Sequence, residues 1–197
     1  MVVPSYLWPL LIAFALIIFF FSMESFLRFG AEAKSLESFG ADKKTTRILR
    51  RAFGFNILCL PAAFLLNWLN IGVLPNRFPV QLTGNLLMTG GLMIRITATL
   101  ILREYYTRTL RITENHKIVK KGWYKYIRHP GYLGVILLWT GAGLSTGNLI
   151  LCILMTALIW IVYLYRIRSE EEMLVHSFGE EYLEYRRRTW KLIPLIF

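Results

Sequence analysis

Long runs of residues without a single charge set the strongest limit on how this chain folds. Residues 1–23 carry no charged side chain, and neither do residues 131–165. A transmembrane helix needs about 20 predominantly apolar residues. The runs therefore predict an integral membrane protein, and the 55% hydrophobic composition agrees with that class.

The apolar runs predict an all-α fold with five transmembrane helices in a single membrane-embedded domain, residues 1–197. The first three spans are residues 1–23, 52–72 and 80–102, within an N-terminal part that ends near residue 110. As one helix, the uncharged run from residue 131 would reach about 50 Å, whereas the hydrocarbon core is about 30 Å thick. Because residues 141–148 contain three glycines together with Ser145, Thr146 and Asn148, we expect a turn there. Residues 130–144 and the following span then form a tight helical hairpin.

The distribution of basic residues predicts the orientation of the chain. The net charge of +11 is carried by the loops after the first and third spans and by the C-terminal tail. The other two connections contain a single basic residue, Arg77. By the positive-inside rule, the N-terminus is outside and the C-terminus cytoplasmic. The charge indicates membrane lipids with anionic headgroups as partners and not nucleic acid. Cys59 and Cys152 form no C-x-x-C pair, so they indicate neither a disulfide framework nor zinc.

Residues 122–134 form a basic and aromatic segment directly before the fourth span. Pro130 suits the first position of a helix, which places His129 in an extended conformation before the helix N-terminus. A ligand with a carboxylate or ribose hydroxyls could bind there, and Gly131 and Gly134 leave room for a flat group or another backbone. The alternative is membrane anchoring, with Tyr124, Tyr126 and Tyr132 as an aromatic belt.

Charged residues near the ends of two spans are further candidates. Tyr163, Arg166 and Glu170 share one helix face by their spacing, although Arg166 and Glu170 also fit an ordinary exposed ion pair. Arg95 lies within the third span, where a charge indicates a function unless the side chain reaches the interface by snorkelling, the interpretation we favour. The remaining charges are interpreted as a solvated face; they are Glu171, Glu172 and Arg186 to Arg188.

Four motifs follow one another through the C-terminal half of the sequence. They are His116-Lys-Ile-Val119, Gly122-x-Tyr124-x-x-x-Arg128-His-Pro-x-Tyr132-x-Gly134, Arg166-x-x-x-Glu170 and Phe178-Gly-Glu-Glu-Tyr182-x-x-Tyr185. In residue types and spacing, this part of the chain resembles the isoprenylcysteine carboxyl methyltransferase family. The first hundred residues resemble that family only in being hydrophobic spans.

The resemblance implies an S-adenosyl-L-methionine-dependent carboxyl O-methyltransferase that forms S-adenosyl-L-homocysteine, with its site on the cytoplasmic side. Residues 111–197 would form the catalytic region, and the substrate would be a prenylated cysteine, another lipophilic acid or a thioether. Arg166 and Glu170 would be catalytic, with Arg166, Tyr163 and Arg95 on the substrate side. The cofactor-binding residues would be His116, Lys117, Ile118, Val119, Tyr124, His129, Pro130, Gly131, Tyr132 and Glu170.

Other classes of protein share parts of this pattern. A phospholipid N-methyltransferase must accept an amine, which Arg166 would repel. A sterol-type reductase binds a nicotinamide cofactor with a similar Arg-His-Pro motif, but usually has an acidic residue where this chain has Val135. A non-enzymatic lipid-binding protein would use the same residues only as anchors. A metal site of His116, His129 and Glu170 lacks the usual short ligand spacing, so we expect no metal.

The C-terminal tail after the fifth span is amphipathic. It is rich in aromatic and basic residues, among them Tyr182 and Tyr185. Such a segment is typical of a helix that lies in the membrane interface. We therefore expect a C-terminal interfacial helix.

Overall fold

The computed structural model describes residues 7–27, 42–102 and 118–195, and within these ranges the chain is helical with no strands. The α-helices are α1 (Leu7–Phe26), α2 (Asp42–Trp68), α3 (Arg77–Leu102), α4 (Pro130–Ser145), α5 (Leu149–Phe178) and α6 (Glu180–Arg187). A short 3-10 helix, Gly122–Lys125, precedes α4. The predicted all-α class is therefore correct for the described residues.

Four of the described helices are long and apolar enough to cross a membrane, namely α1, α2, α3 and α5. Helix α4 has 16 residues. On the helical rise it reaches about 24 Å, less than the hydrocarbon core of about 30 Å. The fifth predicted crossing therefore stays a prediction.

The ends of α5 have clear local causes. Asn148 caps the N-terminus, where its Oδ1 accepts hydrogen bonds from the amides of Ile150 and Leu151 at 3.1 and 3.2 Å. At the C-terminus, Gly179 has φ +53°, a conformation that glycine adopts without strain, and it separates α5 from α6. The charged C-terminal part of α5 thus ends next to the start of α6.

Helix α4 is packed against α3 through glycines on both helices. A Cβ atom added to Gly134 would lie 2.6 Å from the carbonyl oxygen of Gly91, and one added to Gly141 would lie 2.5 Å from that of Gly84. The two backbones therefore approach closely. Of the two possibilities for Gly134, a ligand or another backbone, the structure gives the second.

The other faces of α4 contribute to the hydrophobic core. Ile136, Trp139 and Ala142 have no exposed surface, and Phe53 of α2 packs on Trp139 with ring centroids 5.5 Å apart. Helix α4 is thus held among its neighbours over its whole length. This fixes the position of its N-terminus, where the candidate site lies.

Candidate active site

His129 caps the N-terminus of α4, and Pro130 occupies the first helical position, as predicted. The backbone of His129 has φ −122° and ψ 53°, so the residue is not fully extended and that detail of the prediction is wrong. Its carbonyl oxygen accepts hydrogen bonds from the amides of Tyr132 and Leu133 at 3.1 and 3.0 Å. The lower ψ allows this carbonyl to join the first turn of the helix.

The C-terminal tail holds the backbone just before His129. The amide of Arg128 donates to the carbonyl of Trp190 at 2.8 Å, and that of His129 donates to Lys191 at 3.2 Å. The amide of Trp190 donates in turn to the carbonyl of Tyr126 at 2.8 Å. The residues after α6 therefore position the motif.

Two consecutive glutamates of α5 flank the imidazole of His129. Its Nε2 lies 3.2 Å from Oε1 of Glu171, and its Nδ1 lies 3.6 Å from Oε2 of Glu170. The ring is buried and stacks in parallel on Tyr132, with centroids 5.6 Å apart. His129 and Glu170, both expected to bind the cofactor, therefore lie side by side.

Glu171 is the central acceptor of this cluster, and its assignment to a solvated face is wrong. Its carboxylate is buried, with Oε1 2.8 Å from Nε of Arg128 and Oε2 3.9 Å from Nε of Arg186. Glu172, Arg187 and Arg188 are exposed, as expected.

A sequence signal for the burial of Glu171 was available. It continues, four residues at a time, a buried stripe on α5 that consists of Leu151, Met155, Ile159, Tyr163 and Ile167. A carboxylate at the end of a buried stripe needs partners. Arg128 and His129 are those partners.

Arg166 lies deep in the same region and contacts two helices. Its Nε donates to the hydroxyl of Tyr132 at 3.1 Å, and its guanidinium carbon lies 5.8 Å from the centre of that ring. Its Nη1 is 3.4 Å from the hydroxyl of Thr45 on α2. The Tyr163 ring packs on Tyr132 at 5.0 Å. Arg166 is 3% exposed, so the predicted shared face with Tyr163 points inward.

Arg95 also points inward, so the interpretation as a snorkelling residue is wrong. Its Nε lies 2.7 Å from Oε1 of Glu24 on α1, and both side chains are buried. A Cβ atom on Gly131 would lie 2.9 Å from Nη1 of Arg95. The space beside Gly131 therefore holds the Arg95 guanidinium. The cofactor-binding role of Gly131 stays a prediction.

The tyrosines of the segment are only partly a surface belt. Tyr126 is 59% exposed, whereas Tyr124 is 8% exposed and its carbonyl accepts a hydrogen bond from the hydroxyl of Tyr185 at 2.7 Å. Tyr132 faces His129 and Arg166. The anchoring interpretation thus fits Tyr126 alone among the three.

Helix α6 covers this cluster with two tyrosines. Tyr182 and Tyr185 are 2% and 7% exposed, so the predicted interfacial helix also packs inward. Burial raises the pKa of the Tyr182 phenol well above its ordinary value, and the charges of Glu171 and Glu170 raise it further. Burial likewise raises the pKa of Tyr185, against the opposing effect of Arg128. Both phenols are neutral at physiological pH.

Only two of the four predicted cofactor-binding residues at positions 116–119 lie within the described part of the chain. Ile118 and Val119 are half-buried and precede the 3-10 helix. His116 and Lys117 lie outside the described residues. Among those the structure describes, no group of three His, Cys, Asp or Glu side chains is placed to hold a metal ion.

Unsatisfied polar atoms test whether this cluster suits a polar ligand. Oε2 of Glu170 and the hydroxyl of Tyr182 are buried without a hydrogen-bond partner. Such atoms are rare in native structures and need an explanation. The amino group and the ribose hydroxyls of S-adenosyl-L-methionine are donors that a carboxylate oxygen accepts. The residues present therefore fit this cofactor.

Taken together, the helices and the buried cluster define an all-helical membrane protein with an internal polar site. The model of the isoprenylcysteine carboxyl methyltransferase (ICMT) family matches residues 85–176 of this chain. The match contains the Arg-His-Pro segment and both Arg166 and Glu170.

Curated relatives and a solved structure agree with this family. The chain is 36% identical over 83 residues to the protein-S-isoprenylcysteine O-methyltransferase of Schizosaccharomyces pombe, covering 42% of this chain and 35% of the relative. It is 32% identical over 108 residues to the B form of Arabidopsis thaliana, covering 54% and 55%. The curated relatives named here are thus matched over about half of their length or less.

The fold as a whole is similar to a solved structure of the eukaryotic intramembrane Ras methyltransferase ICMT. The TM-score is 0.67 at 20% identity, and the match covers 100% of this chain and 70% of that one. At this identity, the likeness concerns the fold.

Proposed function

We propose that this protein is an S-adenosyl-L-methionine-dependent methyltransferase that methylates the carboxylate of a lipophilic substrate such as an isoprenylcysteine. The observation that carries the proposal is the connection of two halves through Tyr132. Its ring stacks on His129, and its hydroxyl is bonded to Arg166. The names of the curated relatives support the reaction.

The cofactor half consists of His129, Tyr132 and Glu170, together with Tyr124 and residues 116–119. When bound, S-adenosyl-L-methionine supplies a methyl group on a positively charged sulfur. Oε2 of Glu170 would accept a hydrogen bond from a donor of the cofactor, which would satisfy this buried atom. Glu171 holds the imidazole of His129, which lies beside Glu170 with Nδ1 3.6 Å from its Oε2.

The substrate half is built on Arg166. Its guanidinium binds the substrate carboxylate, because arginine offers donors in a fixed fork that matches a carboxylate. A carboxylate with a pKa near 3.5 is already ionised at neutral pH, so no general base is required. Burial of Arg166 would keep water from the nucleophile, and its fork would orient the carboxylate for transfer of the methyl group. Tyr163 supports this alignment through Tyr132.

Arg95 is proposed as a second cation on the substrate side. Because its Nε is paired with Glu24, its contribution to substrate binding is secondary to that of Arg166. Arg95 approaches the candidate site at Gly131, at the start of α4.

We further propose a five-span topology with the N-terminus outside and the site cytoplasmic. The turn after α4 lies beside the α2–α3 connection, since the amide of Leu149 donates to the carbonyl of Gly72 at 2.8 Å and that of Leu74 donates to Gly147 at 3.0 Å. This supports α4 as a short crossing that forms a hairpin with α5. The basic loops support the orientation.

The first experiment is a calorimetric titration of the detergent-purified chain with S-adenosyl-L-homocysteine, with NADPH in parallel. Binding of the former alone is expected. Binding of NADPH alone would favour a sterol-type reductase, and silence from both a lipid-binding protein.

The substrate class is then tested by methyl transfer to a farnesylcysteine acid, with the corresponding amide as matched control. Transfer to the acid and not to the amide is expected, because the amide offers no carboxylate to Arg166. Transfer to phosphatidylethanolamine instead would identify a phospholipid N-methyltransferase.

A further inference from the structure

A cavity lies at the end of the helices opposite the candidate active site. It has a volume of about 180 Å³ and lies between the N-terminal parts of α1 and α3 and the C-terminal part of α2. Its polar lining consists of Asn67, Arg77 and Gln81, and its apolar lining includes Leu10, Phe64 and Trp68. Since a single water needs only about 10–15 Å³ of such space, the cavity accommodates a group of several atoms.

Gln81 lines this cavity and has an unsatisfied acceptor. The residue is 1% exposed, its Nε2 donates to the carbonyl of Ser145 at 3.1 Å, and its Oε1 has no hydrogen-bond partner. Asn67, by contrast, uses both ends of its amide on the turn after α4, with Thr146 and Asn148. Oε1 of Gln81 is therefore the amide atom in this lining that still needs a hydrogen-bond donor.

Arg77 contributes the charge. It is the one charged residue among the described residues that line the cavity, and it lies one helical turn before Gln81 on the same face of α3. Gly147 faces its stem, since a Cβ atom there would lie 3.2 Å from both Cβ and Cδ of Arg77. The missing side chain of Gly147 thus leaves the space in which the arginine side chain lies. Because Arg77 is positively charged, an anion matches the cavity.

The apolar wall indicates that the anion is the head of a molecule with an apolar tail. Phe64 and Trp68 are 39% and 77% exposed, and they lead from the cavity along α2 to the outer surface of the molecule. Tryptophan is typical of the level of lipid headgroups. A ligand with a polar head in the cavity and an apolar tail along this wall matches both parts.

We infer that this cavity binds the headgroup of an anionic phospholipid that carries a hydroxyl, as phosphatidylglycerol does. The phosphate accepts from Arg77, the headgroup hydroxyl donates to Oε1 of Gln81, and an acyl chain lies on Phe64 and Trp68. The site is separate from the candidate active site, because Gln81 and Arg95 are 14 residues apart on α3, about 21 Å along the helix.

Native mass spectrometry and thermal unfolding of the full chain in detergent test this inference with three lipids. Phosphatidylglycerol should bind and raise the unfolding midpoint, phosphatidylmethanol should bind more weakly because it has the charge without the hydroxyl, and phosphatidylcholine should bind weakest. Equal binding of phosphatidylglycerol and phosphatidylmethanol would overturn the role given to Gln81. Displacement of the lipid by an equal concentration of glycerol phosphate would show a plain anion site and overturn the lipid assignment.

Substitutions locate the site. Arg77→Gln should bind phosphatidylglycerol about tenfold more weakly, since a charged hydrogen bond is lost, whereas Arg51→Gln, at an exposed arginine of α2, should bind as the wild type does. Unchanged binding in Arg77→Gln would overturn the proposal, as would an equal loss in both variants. If Arg77→Gln does not fold, Trp68→Ala at the exposed wall should bind about fivefold more weakly, and unchanged affinity there would count against the proposal equally.

Discussion

At the scale of single residues, the candidate site depends on how its buried charges are neutralised. Glu171 accepts from Arg128 and lies within hydrogen-bond distance of His129. Arg128 also donates through Nη1 to the carbonyls of Arg186 and Thr189. One carboxylate and one guanidinium thus join α5, the segment before α4 and the C-terminal tail. A change in either should affect the whole pocket.

Glu171→Gln should destabilise the protein and weaken cofactor binding. The amide leaves the Arg128 charge buried without its counter-charge, which costs about 3 kcal/mol. We therefore expect a lower thermal midpoint and a roughly tenfold loss of S-adenosyl-L-homocysteine affinity by calorimetry. Glu172→Gln is the matched control, because the carboxylate of Glu172, the next residue in the chain, is exposed. Equal midpoints for both variants would contradict the structural role of Glu171.

Substitutions of Arg166 and His129 should have different effects on turnover and on cofactor affinity. Arg166→Ala should abolish turnover and leave the affinity for S-adenosyl-L-homocysteine nearly intact, because the guanidinium serves the substrate carboxylate. His129→Ala should weaken that affinity about tenfold by loss of the imidazole beside Glu170. Calorimetry and a methyl-transfer assay on the same preparations check the difference.

The contact between Arg166 and Tyr132 requires a control for this comparison. Tyr132→Phe keeps the ring that stacks on His129 and removes the hydroxyl that Arg166 binds. It should reduce turnover and retain cofactor affinity. Loss of affinity and turnover to the same extent in all three variants would refute the division of roles.

At the scale of helices, the close contact of α3 and α4 positions the site. Gly91 and Gly134 meet at the level of Arg95, whose guanidinium reaches Gly131 one turn earlier on α4. The side chain that pairs with α1 is therefore also the one that fills the space beside the start of α4. Any separation of α3 from α4 moves Arg95 relative to His129.

Gly91→Ala should push these helices apart. The added Cβ would lie 2.5 Å from the carbonyl oxygen of Gly134 and 2.8 Å from the amide of Leu138, both of which are backbone atoms. We expect a loss of about 2 kcal/mol in stability, seen as a lower thermal midpoint. Gly90→Ala is the control from the same helix, since nothing lies within 4 Å of its new Cβ. It should be neutral or slightly stabilising, because alanine favours the helix.

The sequence predicted helices better than the contacts between them. The start of α4 at Pro130 followed from a local steric rule that needs no neighbours. The pairing of Arg95 with Glu24 joins residues 71 positions apart, and the bond between Trp190 and Arg128 depends on where the tail returns. No local pattern contains such information. Glu171 was predictable from its stripe on α5, but its partner Arg128 was not.

At the scale of the whole molecule, the polar groups are divided between two ends. The candidate active site gathers the N-terminus of α4 and the C-terminal part of α5, and the phospholipid cavity lies at the ends of α1, α2 and α3 that face away from it. In the proposed topology, the first end is cytoplasmic and the second is outside. The short α4 then connects the two membrane faces.

Cysteine labelling in intact cells tests this arrangement. In a background of Cys59→Ala and Cys152→Ala, a membrane-impermeant maleimide should label Leu69→Cys and Leu149→Cys from outside, since both positions are about half exposed. Lys121→Cys, also exposed, should react only after permeabilisation. The reverse pattern would show the opposite orientation. Labelling of Leu149→Cys together with Lys121→Cys would mean that α4 ends on the side where it begins, and only the four longer helices would then cross.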